Sequence, residues 1–256
     1  MYKFYRIPDL DTLEKIVGLN PTIKFSSAFN LNDPYELKFN LKIDPFAKGQ
    51  LEAFLKFVPG STPKDFEQWQ DQIADNNQFA WYVEQQQRSH LSQTITLCSF
   101  AGKNTNNLMW SHYTNNHSGI CVEYFDSLLD EFKRLSSFFA YDKVQYSDFP
   151  PEVDSLEDPS IKISKMVFNK QSDWKYEQEI RVVLQSTNDT DFVPIDAASI
   201  KAIYIGSRAS NGIPGRVIQI CKNAHFDCYH AIAIGKTYDI HFEKNKDGTI
   251  FTSSFW

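Results

Sequence analysis

Short apolar runs with a two-residue repeat recur along almost the whole chain, and several are joined by short connections. This spacing limits the fold more than any other feature. Parallel neighbours need a crossover of a dozen or more residues, whereas antiparallel strands can be joined by a tight turn. The runs lie at 1–7, 23–25, 37–43, 94–100, 120–124, 138–146, 179–184, 199–205, 227–234 and 241–243. The clearest, EIRVVL at 179–184, reads as a strand under any pairing.

Between these runs lie segments with helical spacing. In 9–17, Asp9 is an N-cap candidate, Leu10, Leu13, Ile16 and Val17 form one face, and Gly18 stops the helix. Residues 46–95 differ in character: they are rich in Gln, their apolar residues recur at helical intervals, and the sequence breaks at PGSTP and DNN. They read as two or three helices. Further helices are expected at 128–132 and 214–223, whereas 161–168 fits a helix or an extended segment equally. The expected class is α+β, with mostly antiparallel mixed core sheets and flanking helices. It is read as a single domain over 1–256, with 46–95 as a helical insertion or side layer.

A chain of 256 residues with 42% hydrophobic and 15% aromatic content buries a sizeable core without staples. Its four cysteines lie in apolar or strand-like surroundings, which argues against a disulfide framework. The net charge of -6 gives no overall electrostatic footprint for non-specific nucleic-acid binding. No apolar run is long enough to cross a bilayer, and residues 1–11 have no apolar signal core, so the expected location is cytoplasmic with no membrane partner.

Two stretches have the layout of a site. In the first, 97–124, a strand pattern breaks into an Asn-rich polar loop that places Trp110, Ser111, His112 and Tyr113 side by side before a second strand pattern follows Gly119. An indole, a hydroxyl, an imidazole and a phenol together offer stacking, hydrogen bonding and proton transfer. The plain alternative is an amphipathic turn whose Trp and Tyr plug the core. No acid lies near His112 to complete a dyad, so the tetrapeptide is read as the ligand-shaping wall of a cleft.

The second stretch is 170–184, KQSDWKYEQEIRVVL. On an extended backbone Glu177, Glu179 and Arg181 share one face, because side chains alternate with period two. Neighbouring carboxylates raise one another's pKa, which suits proton transfer or stabilisation of a developing cation, and an adjacent Arg holds one of them ionised. A solvated edge face with ordinary Glu and Arg pairing is the alternative. Trp174 beside the charged face is a candidate stacking platform.

Other chemistries have weaker signals. Cys221, His225, Cys228 and His230 are the right residue types for zinc, but a helix ending near 223 and a strand beginning near 226 would point them in different directions. No metal site is therefore assigned. The loop 206–215 opens a helix and carries Arg208 beside Arg216, an anion site or simply a turn. P-loop, GxGxxG, GxSxG, kinase and HExxH signatures are absent.

Three phrases, FSSAFNLNDPYE at 25–36, LMWSHYTNNHSGICVEY at 108–124 and WKYEQEIRVVL at 174–184, occur in an order that resembles the bacterial domain-of-unknown-function family 2971. A more distant similarity is to the ADP-ribosyltransferase fold. Those enzymes place an Arg or His on a first core strand to hold the dinucleotide, a Ser, Thr or Tyr on a middle strand, and a Glu at the start of a later strand. The resemblance implies Arg6, then Ser99 or the 111–113 cluster, then Glu179. Glu177 and Glu179 also look like the glutamate-x-glutamate pair of the arginine-modifying subgroup.

The resemblance implies NAD as co-substrate and ADP-ribosyl transfer or NAD hydrolysis as the reaction, in an intracellular toxin or phage-defence effector acting on a protein or nucleic-acid target. Glu179, Glu177 and His112 are the catalytic candidates. Arg6, Tyr5, Ser99, Trp110, Ser111, Tyr113, Trp174 and Arg181 are the candidates for holding the nucleotide, with Tyr2 beside them as a further ring for nicotinamide. Two other readings stand beside this one. The same cleft would serve a non-catalytic nucleotide or peptide sensor, and His112 with Glu177 and Glu179 would serve a nuclease if carboxylates held a divalent metal.

Overall fold

A computed structural model describes residues 1–57, 60–74, 78–232 and 240–245. Its architecture is α+β, built on two five-stranded sheets. The first has the order β1 (Tyr2–Tyr5), β5 (Ile120–Tyr124), β12 (Ile200–Ile205), β13 (Asp227–Ile232), β14 (His241–Lys244). Among the described residues of this sheet only β12 and β13 pair in parallel, and the helix α8 (Ile213–Ala224) makes the crossover between them. The second sheet is antiparallel throughout, in the order β11 (Thr190–Pro194), β2 (Thr22–Ser26), β4 (Ile95–Phe100), β10 (Ile180–Gln185), β6 (Phe138–Lys143). A bridge between Tyr2 and Ala101 brings β1 against the end of β4.

The main core lies between the sheets. Val122 and Ile203 from the first sheet meet Cys98, Val182 and Leu184 from the second, with Leu13, Ile16 and Val17 of α1 (Leu10–Val17) and Val217 and Ile220 of α8 closing it. Asp9 caps α1 by accepting from the Thr12 N–H, as the sequence pattern predicts. Period-two alternation gives each sheet a second apolar face. Phe4, Cys121, Trp110 and Tyr204 cluster on the outer face of the first. Leu97 and Val183 pack outside the second sheet against Leu37, Phe39, Leu91, Met166 and Val167.

Within 46–95 the helices are α2 (Gln50–Phe57), α3 (Pro63–Ala74) and α4 (Gln78–Thr94). The DNN break at 75–77 lies outside the described residues, as do 233–234 of the run expected to end at 234. Phe54, Phe66 and Trp69 form a ring cluster with centroids 5.1 to 5.5 Å apart.

Several expected elements change form. The run at 37–43 shortens to β3 (Asn40–Lys42), because Leu37 takes a left-handed φ of 59° that no strand accommodates. The ambiguous 161–168 is a helix, α7 (Pro159–Val167), capped by Asp158 and started by Pro159. The run 138–146 divides into β6 and β7 (Gln145–Ser147). The acidic loop after it contributes β8 (Glu152–Asp154), which pairs with β3, and β7 pairs with β9 (Asn169–Gln171). Among the described residues no helix is long and apolar enough to cross a membrane. All four cysteines are buried free thiols.

Candidate functional site

The tetrapeptide Trp110 to Tyr113 lies on a helix, α5 (Asn107–Tyr113), where a polar loop was expected. Asn106 caps it by accepting from the N–H groups of Leu108 and Met109. At about 100° per residue, four successive side chains leave in four directions. Trp110 is fully buried in the outer core, its Nε1 donating to the Asn104 carbonyl at 2.6 Å and its ring edge-on to Phe4. Ser111 turns to His117, 3.2 Å away. His112 is exposed and meets the Tyr176 hydroxyl at 3.0 Å. Tyr113 alone of the four reaches the cleft, one turn after Met109 on the same face. The expectation of a continuous wall formed by 110–113 is therefore corrected.

The loop after α5 returns the chain tightly to β5. Asn115, Asn116 and His117 all have φ between 53° and 68°, a left-handed run in which Asn costs less than most residues. Gly119 follows because a Cβ there would lie 2.0 Å from the Tyr5 carbonyl oxygen.

The second stretch supplies the chemistry, but on a different backbone from the one expected. Ser172–Glu177 is a 3-10 helix, and Gln178 takes φ 47° before β10 begins at Ile180. Glu177 and Glu179 still converge, because the left-handed residue between them turns the chain. Arg181 is completely buried and all five of its N–H groups are used. Nε donates to Glu179 at 2.7 Å, and Nη1 donates to Glu36 at 2.9 Å and to the Val167 carbonyl at 2.6 Å. Nη2 donates to Glu36 and Glu179, both at 3.1 Å. No donor remains for a ligand, so Arg181 is a strut under the site and is not among the residues lining the cleft.

Lys170 is the second cation of the cluster. Its Nζ lies 2.8 Å from Glu177, 3.4 Å from Glu179 and 3.6 Å from Glu36, and 4.6 Å above the Trp174 ring. Trp174 thus stacks on a lysine of the protein itself, the role here of the expected platform. Three buried carboxylates facing two buried cations leave one negative charge in excess.

That excess divides unequally. Burial alone would push the Glu179 carboxyl up, but the Arg181 guanidinium and then Lys170 outweigh it and hold it at about 2. The Glu179 oxygens accept from Arg181 twice, from Lys170, and from the Ser99 hydroxyl at 2.5 Å, which fills them. Burial raises the Glu177 carboxyl; Lys170 opposes this and Glu179 reinforces it. Glu177 accepts from Lys170 and from the Tyr113 hydroxyl, and retains acceptor capacity. Tyr113 is in turn pushed well above the ordinary phenol range by burial and by Glu177. The Tyr146 hydroxyl accepts from the Glu179 N–H at 2.8 Å and is raised to about 12, chiefly by burial.

Above the cluster lies a cleft of about 230 Å³, where the outer face of the second sheet meets the edge strand β1. Ser99, Glu177 and Glu179 form its floor, and Tyr2, Tyr5 and Tyr113 are among its walls. The Tyr5 hydroxyl is 2.8 Å from that of Tyr124. Lys3 and Lys24 add positive charge, with Lys3 donating to the Ser99 carbonyl at 3.0 Å. Arg6 is exposed beyond the end of β1 and is not among the residues lining the cleft. The β1 residues that line the cleft end at Tyr5, and Arg6 lies past the last paired position.

Sequence reasoning missed Glu36, Lys170, Lys3 and Tyr146. Glu36 carried a signal: it ends the NDPYE phrase, in which the Asp33 carboxylate accepts from the Tyr35 N–H and so folds the turn that carries Glu36 inward. Asn32 of the same turn donates to the Tyr113 hydroxyl at 2.9 Å. Lys170, Lys3 and Tyr146 lie in local sequence that says nothing of their partners.

The four residues of zinc-ligand type do not converge. Cys221 and Cys228 are buried in the main core, His225 caps α8 at φ 59°, and the His230 Nε2 lies 3.2 Å from the Asn245 amide. Among the described residues no group of three or more His, Cys, Asp and Glu is placed to hold a metal ion. Gly212 at φ 79° makes the turn from the 206–215 loop into α8, where Arg216 is paired with Glu14.

The fold and site define an α+β protein with a carboxylate-bearing cleft on the outer face of the second sheet, beside β1. Residues 109–182, from α5 into β10, match the family described as Protein of unknown function (DUF2971). The matched stretch holds Tyr113, Tyr146, Lys170, Glu177, Glu179 and Arg181, but neither Glu36 nor Ser99. No curated protein and no solved structure matches the chain.

Proposed function

We propose that the cleft takes the nicotinamide-ribose end of NAD and cleaves the glycosidic bond, either transferring ADP-ribose to a target or hydrolysing NAD. What carries this reading is one observation: two neighbouring carboxylates with pKa values displaced in opposite directions line a tyrosine-walled cleft. Such divergence separates a permanent anion from a proton acceptor. The cleft's 230 Å³ is below the usual range for a whole drug-sized ligand, so it suits a ring and its sugar and leaves the rest of the dinucleotide outside. Tyr2, Tyr5 and Tyr113 provide ring faces, and Lys3 and Lys24, rather than Arg6, provide charge for the phosphates.

In this scheme the C1′–N bond breaks, and its electron pair neutralises the nicotinamide ring nitrogen. Glu179, held ionised, stabilises the positive charge that develops on the ribose. Water or a target nucleophile bonds to C1′, and its proton passes to Glu177, which retains acceptor capacity. Ser99 and Arg181 position Glu179. His112 lies outside the cleft and has no step.

The test is nicotinamide release and label transfer to a cell extract. Native protein should turn over NAD, and Glu177→Gln should slow this by about 10²-fold or more. Absence of both signals from the native protein overturns the reading. A sensor is the second reading, favoured by the complete internal satisfaction of Glu179 and Arg181; it expects saturable NAD binding without products. The donor set gives the metal-dependent nuclease no comparable support.

A further inference from the structure

A second cavity, about 790 Å³, lies away from the cleft, between the helical block, β3 and α7. Its apolar walls include Leu41, Phe54, Trp69, Val83, Ile163 and Met166. The polar positions that line it carry amides, Ser155, His90, the Tyr82 phenol and the cations Lys56 and Lys162; no carboxylate is among them. An apolar chamber of this volume is within the range of small-ligand sites. The two lining cations favour an anionic polar end, with Asp154, Glu157 and Asp158 acting on Lys162 from outside the lining.

We propose that this cavity binds an amphipathic carboxylate, a fatty-acid-type molecule with its chain among Phe54, Trp69, Val83 and Met166 and its carboxylate at Lys56 and Lys162. Lys162 already donates to the Ser155 carbonyl at 2.6 Å, so an anion there meets an oriented ammonium. The chain contributes by burying its methylenes and the carboxylate by charge, two separable effects.

The cavity shares its walls with the supports of the cleft. The helix α4, which presents Val83, Gln87 and Leu91 to the cavity, also carries Arg88, whose Nη2 donates to the Pro34 and Glu36 carbonyls at 3.2 and 2.9 Å. Met166 lines the cavity, and the next residue, Val167, accepts from Arg181. Occupancy therefore bears on both segments that hold the Glu36–Arg181–Glu179 array, independently of any reaction at the cleft.

Calorimetry on the full chain with decanoate, and with decylamine as the charge-reversed probe, tests the site. Decanoate should bind saturably and more tightly than decylamine. Lys56→Gln with Lys162→Gln should weaken decanoate about fivefold and remove its preference over the amine. Ala53→Phe, which fills the chamber from α2, should abolish binding with the thermal transition retained; if it fails to fold, Gln87→Trp on the opposite wall does the same job. Saturable decanoate binding should also slow amide exchange at 35–37. No saturable binding, equal binding of amine and carboxylate, or undiminished binding to the filled variant overturns the proposal.

Discussion

The cleft and the large cavity are opposite solutions to building a concavity. Beneath the cleft, Glu36, Glu177, Glu179, Lys170 and Arg181 are buried charges that hold one another, and the space above them is small. The cavity is more than three times larger and is shaped by side-chain volume, with charge in its lining at Lys56 and Lys162. Fixed charges in a dry site lose little to reorganisation, and this suits chemistry in which charge develops. An apolar chamber discriminates weakly by size, and its selectivity comes from the few polar groups in its lining. The difference also implies unequal fragility, because a buried charge that loses its partner is far more costly than a rim charge that loses one.

Arg181→Met should break the comparison most severely. It leaves Glu36 and Glu179 facing each other with only Lys170 between them, and should cost about 3–5 kcal/mol in urea unfolding. A loss under 1 kcal/mol would mean that the array is not a structural support.

Acid should act on the same array. Glu179 has its folded pKa at about 2, below the ordinary carboxylate value of the unfolded chain, so its stabilisation is present above that ordinary value and disappears as pH falls towards 2. The contribution is on the order of 3 kcal/mol. Glu177 is raised and has the opposite sign: its contribution is present below the ordinary carboxylate value and is lost as pH rises through its folded pKa. Glu179→Gln should therefore flatten the fall in stability between neutral and acid pH, whereas Glu177→Gln should steepen it. Identical pH profiles for the two variants would contradict the division of roles.

Lys56→Gln should have the smallest effect. Exposed at the cavity rim, Lys56 should shift Tm by less than about 2 °C on substitution. A larger shift would show that the rim supports the fold as well as selecting the sign of a ligand.

Elements whose cause is local were legible in the chain. The alternation of EIRVVL marks β10 to within a residue, and SIKAIYI marks β12 in the same way. Asp9 with Gly18 brackets α1, and 214–223 falls within α8. These follow from side-chain periodicity and capping, which act over a few residues. A local signal was also present in Asn106 ahead of Leu108 and Met109, an N-cap that makes WSHY helical and sends its four side chains apart.

The sequence by itself determined the α+β class, the strand carrying Arg181 and the adjacency of Glu177 and Glu179. Only the tertiary structure decided what those groups do. Glu36 lies 145 residues from Arg181, Ser99 lies 80 from Glu179 and Tyr113 lies 64 from Glu177, and no periodicity spans such distances. Whether a carboxylate is a permanent anion or a proton acceptor depends on which cations reach it and how much water is excluded, and both are set by packing. The same packing made Arg181 a strut, placed Arg6 and His112 outside the cleft, and put Lys170 at the centre of the site.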